Sequence, residues 1–200
     1  SLQDSSGARG LRECEELTTF QIPYAVRSLS LSDEQLVQAY RSEGAREPLN
    51  ELVGRHLPRI RALVWKMVLD DGVADDLTQE VFLRSIRYLD SYNGQAAFGT
   101  WLHSIAVNVV RTHWEKREKS RRLVTSEIGA DASDILAQPE SSLDDADEIH
   151  TALQRLSPSL RAAIVLVSLE QIEVGEAAKM EESTKSTMYW RLHEARRQLR

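Results

Sequence analysis

The chain has 200 residues, 42% of them apolar and 28% charged, with a formal net charge of −6, a size that allows one domain or two small ones. Nine glycines and five prolines exclude collagen-like and low-complexity classes, and the single cysteine, Cys14, excludes an internal disulfide or a thiolate metal cluster and fits a reducing compartment. The longest apolar runs, such as residues 162–167, fall far short of the ~18 residues of a membrane span, and residues 1–28 lack a basic flank followed by an apolar stretch, so the expectation is a cytoplasmic chain without membrane insertion.

Residues 1–29 show no clear period and are read as an N-terminal extension, disordered in whole or in part. A first helical domain is expected over residues 30–122. Ser32 with Gln35 three residues later resembles a capping box, which predicts a helix to about Arg41. A longer helix is predicted over about residues 47–69. Its apolar stripe is Leu49, Leu52, Val53, His56, Ile60, Leu63, Val64 and Met67, and Pro58 is a candidate kink. A third helix is predicted over residues 74–89, with Leu77, Val81, Phe82, Ile86 and Leu89 inward. Residues 91–94, Ser-Tyr-Asn-Gly, read as a turn. A fourth helix starts near Thr100, with Trp101, Leu102, Ile105, Ala106, Val109 and Val110 inward.

The negative charge is local, so the overall balance is no argument against a nucleic-acid partner. Residues 123–148 hold eight acidic side chains and no Lys or Arg, whereas both flanks are mildly basic. Residues 123–143 therefore read as a flexible, self-repelling acidic linker. A second helical domain is expected over residues 144–200: helices over about 144–155, from Ser157-Pro158 onward, over 174–180 and over 184–200. The last two, joined by about three residues, have the layout of a helix-turn-helix. No segment alternates as a strand does. The expected class is all-α, two small helical domains.

Three constellations could carry function. Arg111, Lys116, Arg117, Lys119, Arg121 and Arg122 lie just after Trp101, His103, His113 and Trp114, with Tyr92 and Phe98 upstream. Cations beside aromatics suit single-stranded nucleic acid, which offers phosphates and unpaired base faces; composition alone favours a plain solvated helix end. The last helix offers Thr184, Lys185, Ser186, Thr187, Tyr189, Trp190, Arg191, His193, Arg196, Arg197 and Arg200, either to a major groove or as an ordinary amphipathic surface. Asp76, Gln79, Glu80 and Leu83 share a face of the third helix opposite its core side, a polar face with one apolar residue in it, which suits a protein partner or solvent. Five scattered histidines lack metal-ligand spacing, and there is no Gly-rich phosphate loop and no G-x-S-x-G. No enzyme, metal site or cofactor is expected.

Two stretches carry a family resemblance. Residues 76–83, D-L-T-Q-E-V-F-L, resemble D-L-x-Q-E-V-F-L; residues 98–108, F-G-T-W-L-H-S-I-A-V-N, resemble F-x-x-W-L-x-x-I-A-x-N. Together they resemble region two of bacterial sigma-70-family sigma factors of the extracytoplasmic-function (ECF) group. Residues 156–196 resemble region four of the same group. The resemblance implies a factor that binds core RNA polymerase, through the β′ clamp helices and the β flap, and helps melt the minus-ten promoter element. It assigns polymerase binding to Asp76, Gln79, Glu80 and Leu83. It assigns minus-ten DNA to Tyr92, Asn93, Phe98, Asn108, Arg111, Lys116, Arg117 and Arg121, and minus-thirty-five DNA to Lys185, Ser186, Thr187, Tyr189, Trp190, Arg191 and Arg196. An anti-sigma partner is implied as well. Glu182 stands where the region-four turn usually carries Gly, so it has to accept a positive φ or another turn. The rival readings are a sigma-like decoy that binds without initiating, and a stand-alone helix-turn-helix regulator.

Overall fold

The computed structural model describes residues 31–128 and 145–200. The N-terminal extension and most of the acidic linker lie outside the described residues. Every regular element among the described residues is helical. The chain parts into two compact units between Leu52 and Val53.

In the first unit, α1 (Asp33–Glu43) begins as its sequence dictates. The Ser32 hydroxyl accepts the Gln35 N–H at 3.3 Å, and the Gln35 side chain accepts the Ser32 N–H at 2.8 Å, a complete capping box. Gly44 ends the helix at φ 64°, a conformation glycine adopts without a Cβ penalty. α2 (Arg46–Val68) starts in this unit and continues unbroken through Pro58 into the next.

In the second unit, the rest of α2 contributes Ile60, Leu63, Val64 and Met67 to the core. Leu69, at φ 60°, ends α2, and Asp70 then caps α3 (Asp71–Tyr88) by accepting the Val73 N–H at 2.8 Å. Ala74, Thr78, Val81, Phe82 and Ser85 are the buried side of α3, which packs against α4 (Phe98–Ile128). Ile86, expected inward, is 36% exposed.

α4 differs from expectation in two ways. It runs to Ile128, past the linker start expected at residue 123, because no Gly or Pro stands between Gly99 in its first turn and Gly129. Moreover, Ala106, Val107, Val109 and Val110 are all at most 2% exposed, so this stretch is covered on more than one side. α3 covers one side; the other contacts α7 (Val174–Met180).

α5 (Asp145–Gln154) leads to α6 (Pro158–Ile164), whose proline sits in the first turn. The helix then widens into one π turn, Val165–Leu169, closed by the Glu170 N–H donating to the Val165 carbonyl at 2.9 Å. α6 and α7 both pack on α8 (Lys185–Gln198). The link between α7 and α8 is a Schellman turn: Ser183 N–H reaches the Ala178 carbonyl at 2.8 Å and Glu182 N–H the Lys179 carbonyl at 3.1 Å. Its left-handed position is Glu182, at φ 47°. The glutamate thus takes the conformation that glycine ordinarily supplies.

Candidate nucleic-acid interface

The outward face of α3 is rigidly presented. Asp76, Gln79 and Leu83 are exposed, Leu83 at 54%. Glu80 is half-buried and accepts the Arg84 Nε–H at 2.6 Å, one turn along. Ile86, three residues after Leu83, extends the apolar part of the face.

Asn108 and Arg111 sit one turn apart on α4. The Asn108 carboxamide oxygen accepts from Arg111 Nη2 at 2.8 Å, and the same Nη2 donates to Glu182 Oε1 at 2.5 Å. The strained turn of the helix-turn-helix thus lies over the residues that the resemblance assigns to the melted strand. Glu181 adds a second carboxylate near Arg111. Burial pushes the Glu181 carboxyl up, while Arg191 and Arg111 pull it down. The hydrogen bond from Arg111 holds the Glu182 carboxyl below the usual range.

Beyond this point α4 is cationic and exposed. Arg117 lies 5.4 Å from the Trp114 ring centroid, a cation–π stack. Arg121 and Arg122 both lean on Glu118, at 3.3 and 2.9 Å. Lys116 and Lys119 are exposed and have no ion pair among the described residues.

On α8 the Thr184 hydroxyl accepts the Thr187 N–H at 3.1 Å and so caps the helix. Lys185 folds over Gly175, where its charge favours the ionised Glu173. Arg191 Nη1 donates to Glu181 at 3.2 Å, and that carboxylate is 8% exposed. Glu194 accepts from Arg197 and Gln198, contacts that hold its carboxyl down at about 2. Tyr189 and Trp190 are 60% and 61% exposed.

Residues 52–120, which contain the α3 face and most of the cationic run, match the family model of sigma-70 region 2. The chain is 29% identical over 176 residues to the RNA polymerase sigma-H factor of Pseudomonas aeruginosa, spanning 82% of this chain and 90% of that one. It is also 29% identical over 181 residues to the ECF RNA polymerase sigma-E factor of Escherichia coli K12, spanning 84% and 93%. Residues 52–120 are a sigma-70 region 2 domain, and the chain as a whole is similar to sigma factors. Solved structures agree at the level of the fold. The sigma factor RpoE in complex with the anti-sigma factor NepR from Bartonella quintana superimposes with a TM-score of 0.59 at 24% identity, covering 78% of this chain and 95% of that one. CnrH in complex with the cytosolic domain of CnrY gives 0.57 at 22%, covering 84% and 94%.

In this chain the expected site residues separate into those that are accessible and those that are committed to the fold. Asn93 is exposed, its side chain turned back to accept the Gln95 N–H at 3.1 Å. Tyr92 and Phe98, expected to face an unpaired strand, are instead 5% and 4% exposed. Their rings meet edge to face at 5.5 Å, and the Tyr92 hydroxyl donates to the Ala96 carbonyl at 2.9 Å. These rings close the loop onto α4 and offer no free face. Trp101, expected inside, is half-buried and covers both, with centroids 5.3 and 5.5 Å away. On α8, Thr187 serves the cap and Arg191 serves Glu181, so neither is presented as expected. Lys185, Ser186, Tyr189, Trp190 and Arg196 are exposed. Ile86 and Glu182 were missing from the expected sites. A helical wheel places Ile86 beside Leu83, and the departure from Gly marked residue 182.

Proposed function

We propose that this sigma factor docks on core RNA polymerase through the α3 face of Asp76, Gln79, Glu80 and Leu83, with Ile86 added. α4 then handles the minus-ten element. Asn108 and Arg111 meet the separated strand, and Lys116, Arg117 and Arg121 hold phosphates. α8 approaches the minus-thirty-five element with Lys185, Ser186, Tyr189, Trp190 and Arg196. The molecule positions and melts DNA and performs no bond chemistry of its own; the polymerase it joins is the catalyst. Its place of action is the cytoplasm, where polymerase and promoters are. No helix among the described residues is long and apolar enough to cross a membrane.

The observation that carries this reading is the match of residues 52–120 to sigma-70 region 2, the segment that holds both an exposed Leu83 on a polar face and the cationic run of α4. An anti-sigma protein is the expected regulator, in line with RpoE, which was solved with the anti-sigma factor NepR. Arg111 has to leave Glu182 before it can reach DNA, so the turn between α7 and α8 must release it when the complex forms. Co-purification with bacterial core polymerase tests the docking face. The unaltered chain is expected to elute with core, and Leu83→Asp to elute free while keeping its helical circular dichroism. Equal retention of both would remove α3 from the polymerase contact.

A further inference from the structure

The cations of α8 are unevenly available. Arg191 is tied to the buried Glu181, Arg197 is tied to Glu194, and Lys185 folds toward Glu173. Arginine side chains are the usual readers of guanine edges, and here the mid-helix arginine is spent inside the protein. What stands exposed in the first half of the helix is an aromatic pair, Tyr189 and Trp190, at 60% and 61%. Two adjacent large rings left in water on a helix of a small domain call for a partner surface. Arg196 and Arg200, further along and exposed, give that surface an electrostatic preference for a polyanion over an apolar protein groove.

We propose that Tyr189 and Trp190 read thymine methyl groups in the major groove of the upstream promoter element. The inference rests on the reading that α8 enters that groove. The thymine C5-methyl is the one apolar feature of the major-groove code, and it is the feature that flat, weakly polar side chains can discriminate. The upstream element chosen by this chain is therefore richer in thymine than in guanine where the first turns of α8 lie, with Arg196 and Arg200 fixing the backbone.

The test uses core polymerase loaded with the full chain and a random duplex pool. Bound duplexes are selected and sequenced, and the winning duplex is resynthesised with deoxyuridine replacing thymine in the upstream element. Uracil pairs like thymine and lacks only the methyl. Affinity is expected to fall about fourfold for each contacted methyl removed, Trp190→Ala is expected to lose part of that discrimination, and the double variant Tyr189→Ala/Trp190→Ala is expected to bind the thymine and uracil duplexes alike. Equal binding of both duplexes by the unaltered chain overturns the proposal and leaves promoter recognition standing. Thymine preference that persists undiminished in Tyr189→Ala/Trp190→Ala also overturns it, and points the rings toward a protein contact instead. A chain that selects no duplex and fails to join core polymerase overturns the proposal together with the sigma function beneath it.

Discussion

Arg161 is the residue on which the interior of the second unit depends most directly. Its guanidinium is buried and donates to three carbonyls: Leu153 at 2.9 Å, Met67 at 3.0 Å and Leu156 at 3.2 Å. Burial pushes its pKa down to about 10, so it stays charged at neutral pH. Arg161→Ala leaves the three carbonyls without that partner and is expected to cost about 1–3 kcal/mol or more, the loss for a buried polar group left unsatisfied, read as a lower urea midpoint. Arg161→Lys should recover only part, because an ammonium lacks the planar fork that reaches three directions. His103 gives the pH dependence. Its Nδ1–H donates to the Gly99 carbonyl, and Nε2 has no hydrogen-bond partner among the described residues, 3.9 Å from Glu170 Oε2. Burial lowers its pKa. Arg59 and His56 also oppose the proton, while the Gly99 carbonyl and Glu170 favour it. The unfolded chain therefore takes up the proton first. Stability is full above the ordinary histidine value near 6.5 and is lost as pH falls toward the lower folded value. Urea midpoints should drop between pH 7.5 and 5.5, and His103→Gln should flatten part of that drop. His113, whose pKa burial also lowers, carries the remainder. An unaltered slope in His103→Gln would contradict this assignment.

At the scale of elements, the helices follow from local chemistry. The Ser32/Gln35 box and the Pro158 start were legible, because each is set by residues within one turn, and the Thr184 cap is of the same local kind. Thr184→Ala should lower stability by about 1 kcal/mol, the usual loss for an N-cap, visible in thermal melts. Face assignments were less secure. The 3.6-residue period says which side chains share a stripe but not how many neighbours cover it. Val107 became core because a second element covers α4, and Ile86 was left out because α3 ends beside it. Tyr92 and Phe98 lie next to a cationic helix in sequence, yet the 92–98 loop folds back and stacks them under Trp101. No one-dimensional pattern carries that. The exposed pair Leu83 and Ile86 should act together in docking. Ile86→Ala is expected to weaken core binding several-fold in a fluorescence titration, with no change in the thermal midpoint; unchanged affinity would confine the face to the residues the sequence showed.

At the scale of the whole molecule, contacts between residues far apart in sequence hold α2 and α4 to the helices that follow residue 145. Glu170, set by the π turn and 8% exposed, accepts from Lys66 at 2.8 Å, with Arg59 at 3.7 Å. Arg161 seals the end of α2, and Arg111 meets Glu182. None was legible beforehand, since each pairs residues 71 or more positions apart in a chain with many possible partners. Glu182 combines two opposed effects. Its left-handed backbone costs about 1 kcal/mol relative to glycine, and its carboxylate occupies Arg111. Glu182→Gln should raise the affinity of the free chain for a single-stranded minus-ten oligonucleotide, with the gain shrinking as salt rises; equal affinity would mean that the pair does not restrain Arg111. The central claim, that α4 melts promoter DNA for a polymerase held on α3, is tested most directly by run-off transcription. Core polymerase, the chain and upstream genomic fragments are expected to give transcripts that depend on the chain. Asn108→Ala should bind core normally yet lose those transcripts on linear duplex and regain them on templates already unpaired at the minus-ten element. Core binding with no transcript from any template, premelted ones included, would contradict the account and leave a decoy in its place.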